Sequence, residues 1–156
     1  MENSLSVDKD YALWVLLLQT KDTVFKAREK ELSQYGISPE QAGVLFILQV
    51  LGNKATPSEI SRWLLRKHHT VLGILGRMEK AGLVRKTKDL LRKNLVRVTL
   101  TEKGRQAYYQ STKIEPIREI MSSLSEEERQ QLSSCLQTLR ARALEELEMD
   151  QKPPFP

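Results

Sequence analysis

HHTVLGILGRMEKAGLVRKTKDLLRKNLVRVTLT, residues 68–101, is the stretch that decides the fold, because its apolar residues change period partway along. Val71, Ile74, Leu75 and Met78 recur three and four apart, so they share one face of a helix over His68–Ala81, which Gly82 stops. Leu83–Lys88 and Leu95–Leu100 then read as β-strands, the second alternating Val96, Val98 and Leu100 with Arg97 and Thr99. Asp89–Asn94 between them is a polar, basic turn. The pair is therefore expected to form a hairpin whose tip carries Arg92 and Lys93.

Working outward from there, Thr56-Pro57-Ser58-Glu59 is a helix start that opens a short helix through Ile60, Trp63 and Leu64. Ser38-Pro39-Glu40-Gln41 is an earlier start of the same kind. It leads into a core stripe of Val44, Leu45, Leu48 and Leu51 that ends at Gly52. Residues 8–35 read as one long helix, and the segment around 13–18 is apolar on every side, which calls for burial beyond the helix's own fold. On the other flank, Thr101-Glu102 opens a helix that Pro116 breaks or bends. Ser125-Glu126-Glu127-Glu128 caps a last helix, whose Leu132, Leu136, Leu139, Ala143 and Leu147 form an apolar seam to about residue 148. Residues 149–156, with three prolines, are expected to be a disordered tail.

The fold class that follows is mainly α with a small antiparallel β-hairpin. Helix, short helix, helix, hairpin is the order of a winged helix-turn-helix, expected over 37–104, with helical dimerisation regions at 8–36 and 105–148. In such a unit the third helix fits the DNA major groove and the hairpin reaches an adjacent groove or the backbone. Charge agrees. Between Lys54 and Arg105 stand 14 Lys or Arg against four acids, a net of +10; the whole chain is +5, so the remainder is −5. A basic block between acidic helices points to a polyanion partner for the middle alone.

Other classes fit less well. Cys135 is the only cysteine, which rules out an intrachain disulfide and suits a reducing, cytoplasmic setting. The longest apolar run, Ala12–Leu18, has seven residues, against the ~20 a membrane helix needs. There is no Gly-rich phosphate loop and no nucleophile–histidine pairing, so no enzyme and no cofactor are expected. His68 and His69 are the sole histidines, and adjacent positions on a helix point apart, so no metal site is expected.

Four stretches in this order resemble the MarR family of winged-helix regulators: Gly36–Gln41 (GISPEQ), Thr56–Ser61 (TPSEIS), Arg77–Val84 (RMEKAGLV) and Val96–Gly104 (VRVTLTEKG). With matching helical flanks the likeness covers about residues 8–148. It implies a sequence-specific transcriptional regulator, most often a repressor, that acts as a homodimer on double-stranded DNA with a pseudo-palindromic operator. More weakly, it implies release by a small, often phenolic or anionic, effector. Two departures stand out. The family's Asp-x-Arg in the wing is replaced by Arg92-Lys93-Asn94, and Gly73 occupies the place of a frequent arginine in the reading helix.

Base contacts are expected from Lys67, His68, His69, Thr70 and Arg77, of which Thr70 and Arg77 follow the family pattern most closely. Ser58, Arg62, Arg85 and Arg97 are expected on phosphates, and Arg92 and Lys93 at the minor-groove edge or on phosphates. The effector-binding residues cannot be assigned from sequence. Gly73 and Gly76 either let the backbone approach DNA, or serve close packing or are simply tolerated. Trp14 and Trp63 are expected in core or interface, and Cys135 is expected to be a buried, inert thiol beside Leu132 and Leu136. The rival function is a ligand-binding or protein-interaction protein on the same fold, with weak, nonspecific DNA affinity. The sparse polar content of the reading helix favours it.

Overall fold

A computed structural model describes residues 8–92 and 94–149; residues 1–7, Lys93 and residues 150–156, which include most of the expected tail, lie outside the described residues. Five of the seven α-helices begin where a side chain answers orphan amide groups; the helices that start at His68 and Glu115 do not. Asp8 accepts the amides of Asp10 and Tyr11 to start α1 (Lys9–Ser33). Ser38 and Gln41 form a reciprocal capping box, both bonds 3.2 Å, at the head of α2 (Pro39–Leu51). After a 3-10 turn, Gly52–Lys54, Thr56 caps α3 (Pro57–Leu64) by accepting from the Glu59 amide. A tight turn leads to α4 (His68–Lys80). Then come β1 (Val84–Lys88) and β2 (Val96–Leu100), antiparallel, with Val84 opposite Leu100 and Lys88 opposite Val96. The chain closes with α5 (Glu102–Ser111), α6 (Glu115–Ser122) and α7 (Glu126–Glu146), the last on a Ser125–Glu128 capping box.

The break expected at Pro116 falls just before it. The chain turns at Ile114, which sits in the left-handed region at φ +43°, and Pro116 lies in the first turn of α6, where its missing N–H costs nothing. A β-branched residue seldom adopts that backbone conformation.

The core belongs to the middle of the chain. Leu32 from the end of α1, Leu45, Ile60, Leu75, Met78 and Val98 are all fully buried, with Ala107 of α5 beside them. Trp63 packs against this cluster from its edge. Burying each large aliphatic side chain is worth about 1.5–3 kcal/mol, so this lobe holds most of the fold's stability. The Val98 amide donates to the Ala55 carbonyl at 2.9 Å, which ties the outer edge of β2 to the α2–α3 connection.

The flanking helices are different. Tyr11, Leu13, Trp14, Leu16, Leu17 and Leu18 of α1 are 39–63% exposed, and Leu132, Leu136 and Leu139 of α7 are exposed too. Of α7, only Leu144 is buried. Cys135 is exposed, against the expectation of a buried thiol, because none of the described residues covers it.

The core lobe and the hairpin lock together at Leu83. Its amide donates to the Met78 carbonyl (2.9 Å) to stop α4, with Gly82 at φ +76° making the turn. Its carbonyl accepts both the Thr101 amide and the Thr101 hydroxyl at 3.1 Å. Thr101 also caps α5 by accepting from the Gly104 amide at 3.0 Å. Gly104 has to be glycine, since a Cβ there would stand 2.1 Å from the Leu83 carbonyl oxygen. Gly104→Ala is therefore expected to destabilise the protein by roughly 1–3 kcal/mol or more, as overpacking against rigid backbone does. Gly76→Ala, where a Cβ meets nothing within 4 Å, is expected to stabilise by about 1 kcal/mol. Thermal or urea denaturation of the two variants reads both signs.

Candidate nucleic-acid interface and ligand cavity

On α4 the side chains divide cleanly. Val71, Ile74, Leu75 and Met78 face the core, while His69, Leu72, Gly73, Arg77 and Lys80 are exposed. The positions opposite the buried stripe, at helical spacing, are 69, 73, 76 and 80. Its middle is two glycines: Gly76 has open space around it, and Gly73 meets only the Arg77 guanidinium, 3.6 Å from a notional Cβ. Neither glycine is required for packing within the chain, so the close-packing reading does not hold. The outward face of α4 is backbone at its centre, with side chains at its ends.

The turn before α4 is closed by Leu65 at φ +52° and by an Arg66 amide to Ser61 carbonyl bond of 3.2 Å. It leaves Arg66, Lys67, His68, His69 and Thr70 all exposed. Arg66, Thr70 and Arg77 gather around one cleft of about 390 Å³ with Ser38, Glu40 and Gln41 at the head of α2. Arg66 escaped the sequence reading because its place beside Arg77 comes from the α3–α4 turn and not from helical spacing. Ser58 is exposed on α3, and Arg62 is half-buried and paired with Glu59 at 2.9 Å. Across the hairpin, Arg85 lies opposite Thr99 and Arg97 opposite Thr87, which puts both arginines on the outer face. Arg92 is exposed at the tip.

The wing has an acid–arginine pair after all, in a different register from the family's. Asp89 Oδ2 accepts from Arg97 at 2.9 Å, Asp89 Oδ1 accepts from the Leu91 amide at 2.8 Å, and Arg97 reaches on to the Asn53 carbonyl at 3.2 Å. The Leu91 amide first, and then the Arg97 guanidinium, hold the Asp89 carboxyl below its ordinary value. The signal in sequence was an acid and an arginine eight residues apart, and only the hairpin's register shows that they meet.

A second feature lies away from this surface. Arg28 of α1, Ala42, Gly43 and Phe46 of α2 and Tyr108 of α5 line a cavity of about 490 Å³. Arg28 is half-enclosed there: it pairs with Glu31 and donates to the Ser111 carbonyl at 2.7 Å, and burial lowers its pKa. The lining comes from three helices far apart in sequence, so no spacing could have announced it. Among the described residues no three His, Cys, Asp or Glu side chains gather as a metal site, and no helix is long and apolar enough to cross a membrane.

A family model described as the MarR family matches residues 35–90. Among solved structures, the organohalide-sensing transcriptional regulator RdhR with 2,4-dichlorophenol bound is 34% identical, with a TM-score of 0.87, covering 97% of this chain and 92% of that one. A MarR cysteine mutant from E. coli complexed with operator DNA is 21% identical, TM-score 0.77, covering 82% and 93%. The MepR–DNA complex of S. aureus is 21% identical, TM-score 0.72, covering 86% and 98%. These last two speak for the fold. None of the curated proteins compared by sequence matches the chain.

Because the Asp89 pKa is depressed on folding, its contribution to wing order is complete above the ordinary carboxylate value and is lost only as pH falls through the lowered one. An NMR titration is expected to place the Asp89 midpoint below 3.8, with the Leu91 amide staying protected until the solution is more acid than that. In Arg97→Ala the midpoint should rise yet stay depressed, since the Leu91 amide remains.

Proposed function

The chain belongs to the MarR family of transcriptional regulators, and on that footing we propose that it is a sequence-specific DNA-binding repressor acting as a homodimer on a pseudo-palindromic operator. The observation that carries this is the placement of charge: the net +10 between Lys54 and Arg105 falls on the helix-turn-helix and wing, and nearly all of its candidate contact residues are exposed. Phosphate contacts of this kind supply affinity and make it steeply salt-dependent. Residues 37–104 form the DNA-binding unit. Within it Lys67, His68, His69, Thr70 and Arg77 meet base edges, Ser58, Arg62, Arg85 and Arg97 meet phosphates, and Arg92 and Lys93 work from the wing. Regions 8–36 and 105–148 dimerise, and the exposed leucines of α1 and α7 support this, since a second copy would bury them.

The cavity beside Arg28 is the effector site in this reading. Its Phe46, Tyr108 and Ala42 suit an aromatic ring, and the Arg28 guanidinium suits a phenolate or carboxylate at its rim. RdhR, whose structure holds 2,4-dichlorophenol, is the relative that points to a halogenated phenol. Because the cavity lies between α1 and the α2–α5 pair, a ligand there can shift the DNA-binding unit against the dimerisation helices.

A gel shift on the DNA upstream of the gene, with nonspecific competitor present, separates the repressor from a protein that binds DNA weakly and without preference. A discrete band is expected to survive competitor. Arg77→Ala, folded by circular dichroism, should weaken that band about tenfold or more. Sedimentation should give twice 18.0 kDa. With 2,4-dichlorophenol at ten to a hundred times its dissociation constant, the free protein should gain about 1–3 kcal/mol of stability. The retarded band should then recede.

A further inference from the structure

Leu90 and Leu91 at the tip of the hairpin are 99% and 96% exposed, more than any other large hydrophobic residue among those described. They are adjacent, and the turn that bears them is held. The Asp89 amide donates to the Leu95 carbonyl and the Leu95 amide to the Arg92 carbonyl, both at 2.9 Å, while Asp89 binds the Leu91 amide on one oxygen and Arg97 on the other. Arg97 anchors the frame to the Asn53 carbonyl. The leucines are thus presented outward beside hydrogen bonds that join Asp89, Leu91, Arg92, Leu95 and Arg97, with exposed Lys88 and Arg92 on either side.

An apolar point inside a cationic collar matches one kind of partner. Duplex DNA has phosphates along the rims of its grooves and an apolar stack of bases within. The hairpin is continuous with the surface already assigned to DNA, and its charge is of the complementary sign. We propose that the wing tip inserts Leu90 and Leu91 into the minor groove as a wedge that partly unstacks one base step and bends the duplex. Apolar side chains wedged into the minor groove in this way unstack base steps and kink the helix. The cost is lowest at pyrimidine–purine steps such as TA and CA/TG. Specificity at the wing then comes from deformability, which accounts for a tip without the family's Asp-x-Arg. The inference rests on the DNA-binding reading above.

The test uses the full-length protein and the upstream fragment that its own footprint delimits, with 2-aminopurine at a TA or CA step in the wing-protected minor groove. Wild-type protein is expected to raise the fluorescence several-fold and to bend the fragment by roughly 20–90°. The double variant Leu90→Ser/Leu91→Ser should lose most of both signals and about tenfold in affinity. Its salt slope should not change, because no phosphate contact is removed. Leu90→Met/Leu91→Met should restore the fluorescence and the bend. Both positions are fully exposed, and unchanged circular dichroism confirms the fold of each variant. A footprint without fluorescence change or bending overturns the wedge and leaves the DNA-binding reading intact. A serine variant that binds and bends like wild type also overturns it, as does one whose only change is in self-association, which makes the tip a protein contact. Wild-type protein that leaves no footprint removes both readings.

Discussion

The backbone of Leu83 is the joint on which the molecule turns. Its amide ends α4, its carbonyl holds the Thr101 amide and hydroxyl, and the missing side chain of Gly104 lets α5 come up against it. Through the backbone of that one residue the end of α4, the start of the hairpin and the start of α5 are fixed together. The hairpin thus projects from the same rigid body as α4, and its free edge is secured again where Val98 bonds Ala55. A wing hung on a flexible joint would lose conformational entropy on every binding event; here most of that cost falls on folding.

Apolar surface is spent unevenly along the chain. The middle closes its own core, while α1 and α7 leave Leu, Tyr and Trp side chains in solvent. The two lobes meet at Arg28, which is paired with Glu31 on its own helix and bridges α1 to the end of α5 through the Ser111 carbonyl, just before the left-handed turn at Ile114. A cavity opens beside that bridge. Stiff lobes, a constrained joint and a cavity between them are the parts from which ligand-driven population shifts are built.

On the outward face of α4 and the hairpin the same economy shows in another form. The centre of α4's outward face is glycine, so its polar side chains sit at the helix ends and in the preceding turn. The wing, in turn, uses its one acid to brace an arginine against the loop and leaves leucines at the tip. Under the DNA-binding reading proposed above, both features would shift the weight from hydrogen-bonded base reading toward close backbone approach and DNA shape.

The order and limits of the elements were legible in the sequence, because capping boxes, glycine stops and a change of apolar period act over a few residues and need no tertiary context. The block of positive charge was legible for the same reason: it is a sum over neighbours. What the tertiary structure decided are relations between distant residues. Asp89 meets Arg97 only through the hairpin's register, Arg66 joins Arg77 only through the α3–α4 turn, and Arg28, Phe46 and Tyr108 share a cavity only once three helices pack. Exposure was decided there as well: Leu132, Leu136, Leu139 and the thiol of Cys135 carry the pattern of a buried stripe, yet the described residues leave all four exposed. Periodicity fixes which side chains share a face; whether that face is covered depends on what the rest of the fold, or another molecule, brings against it.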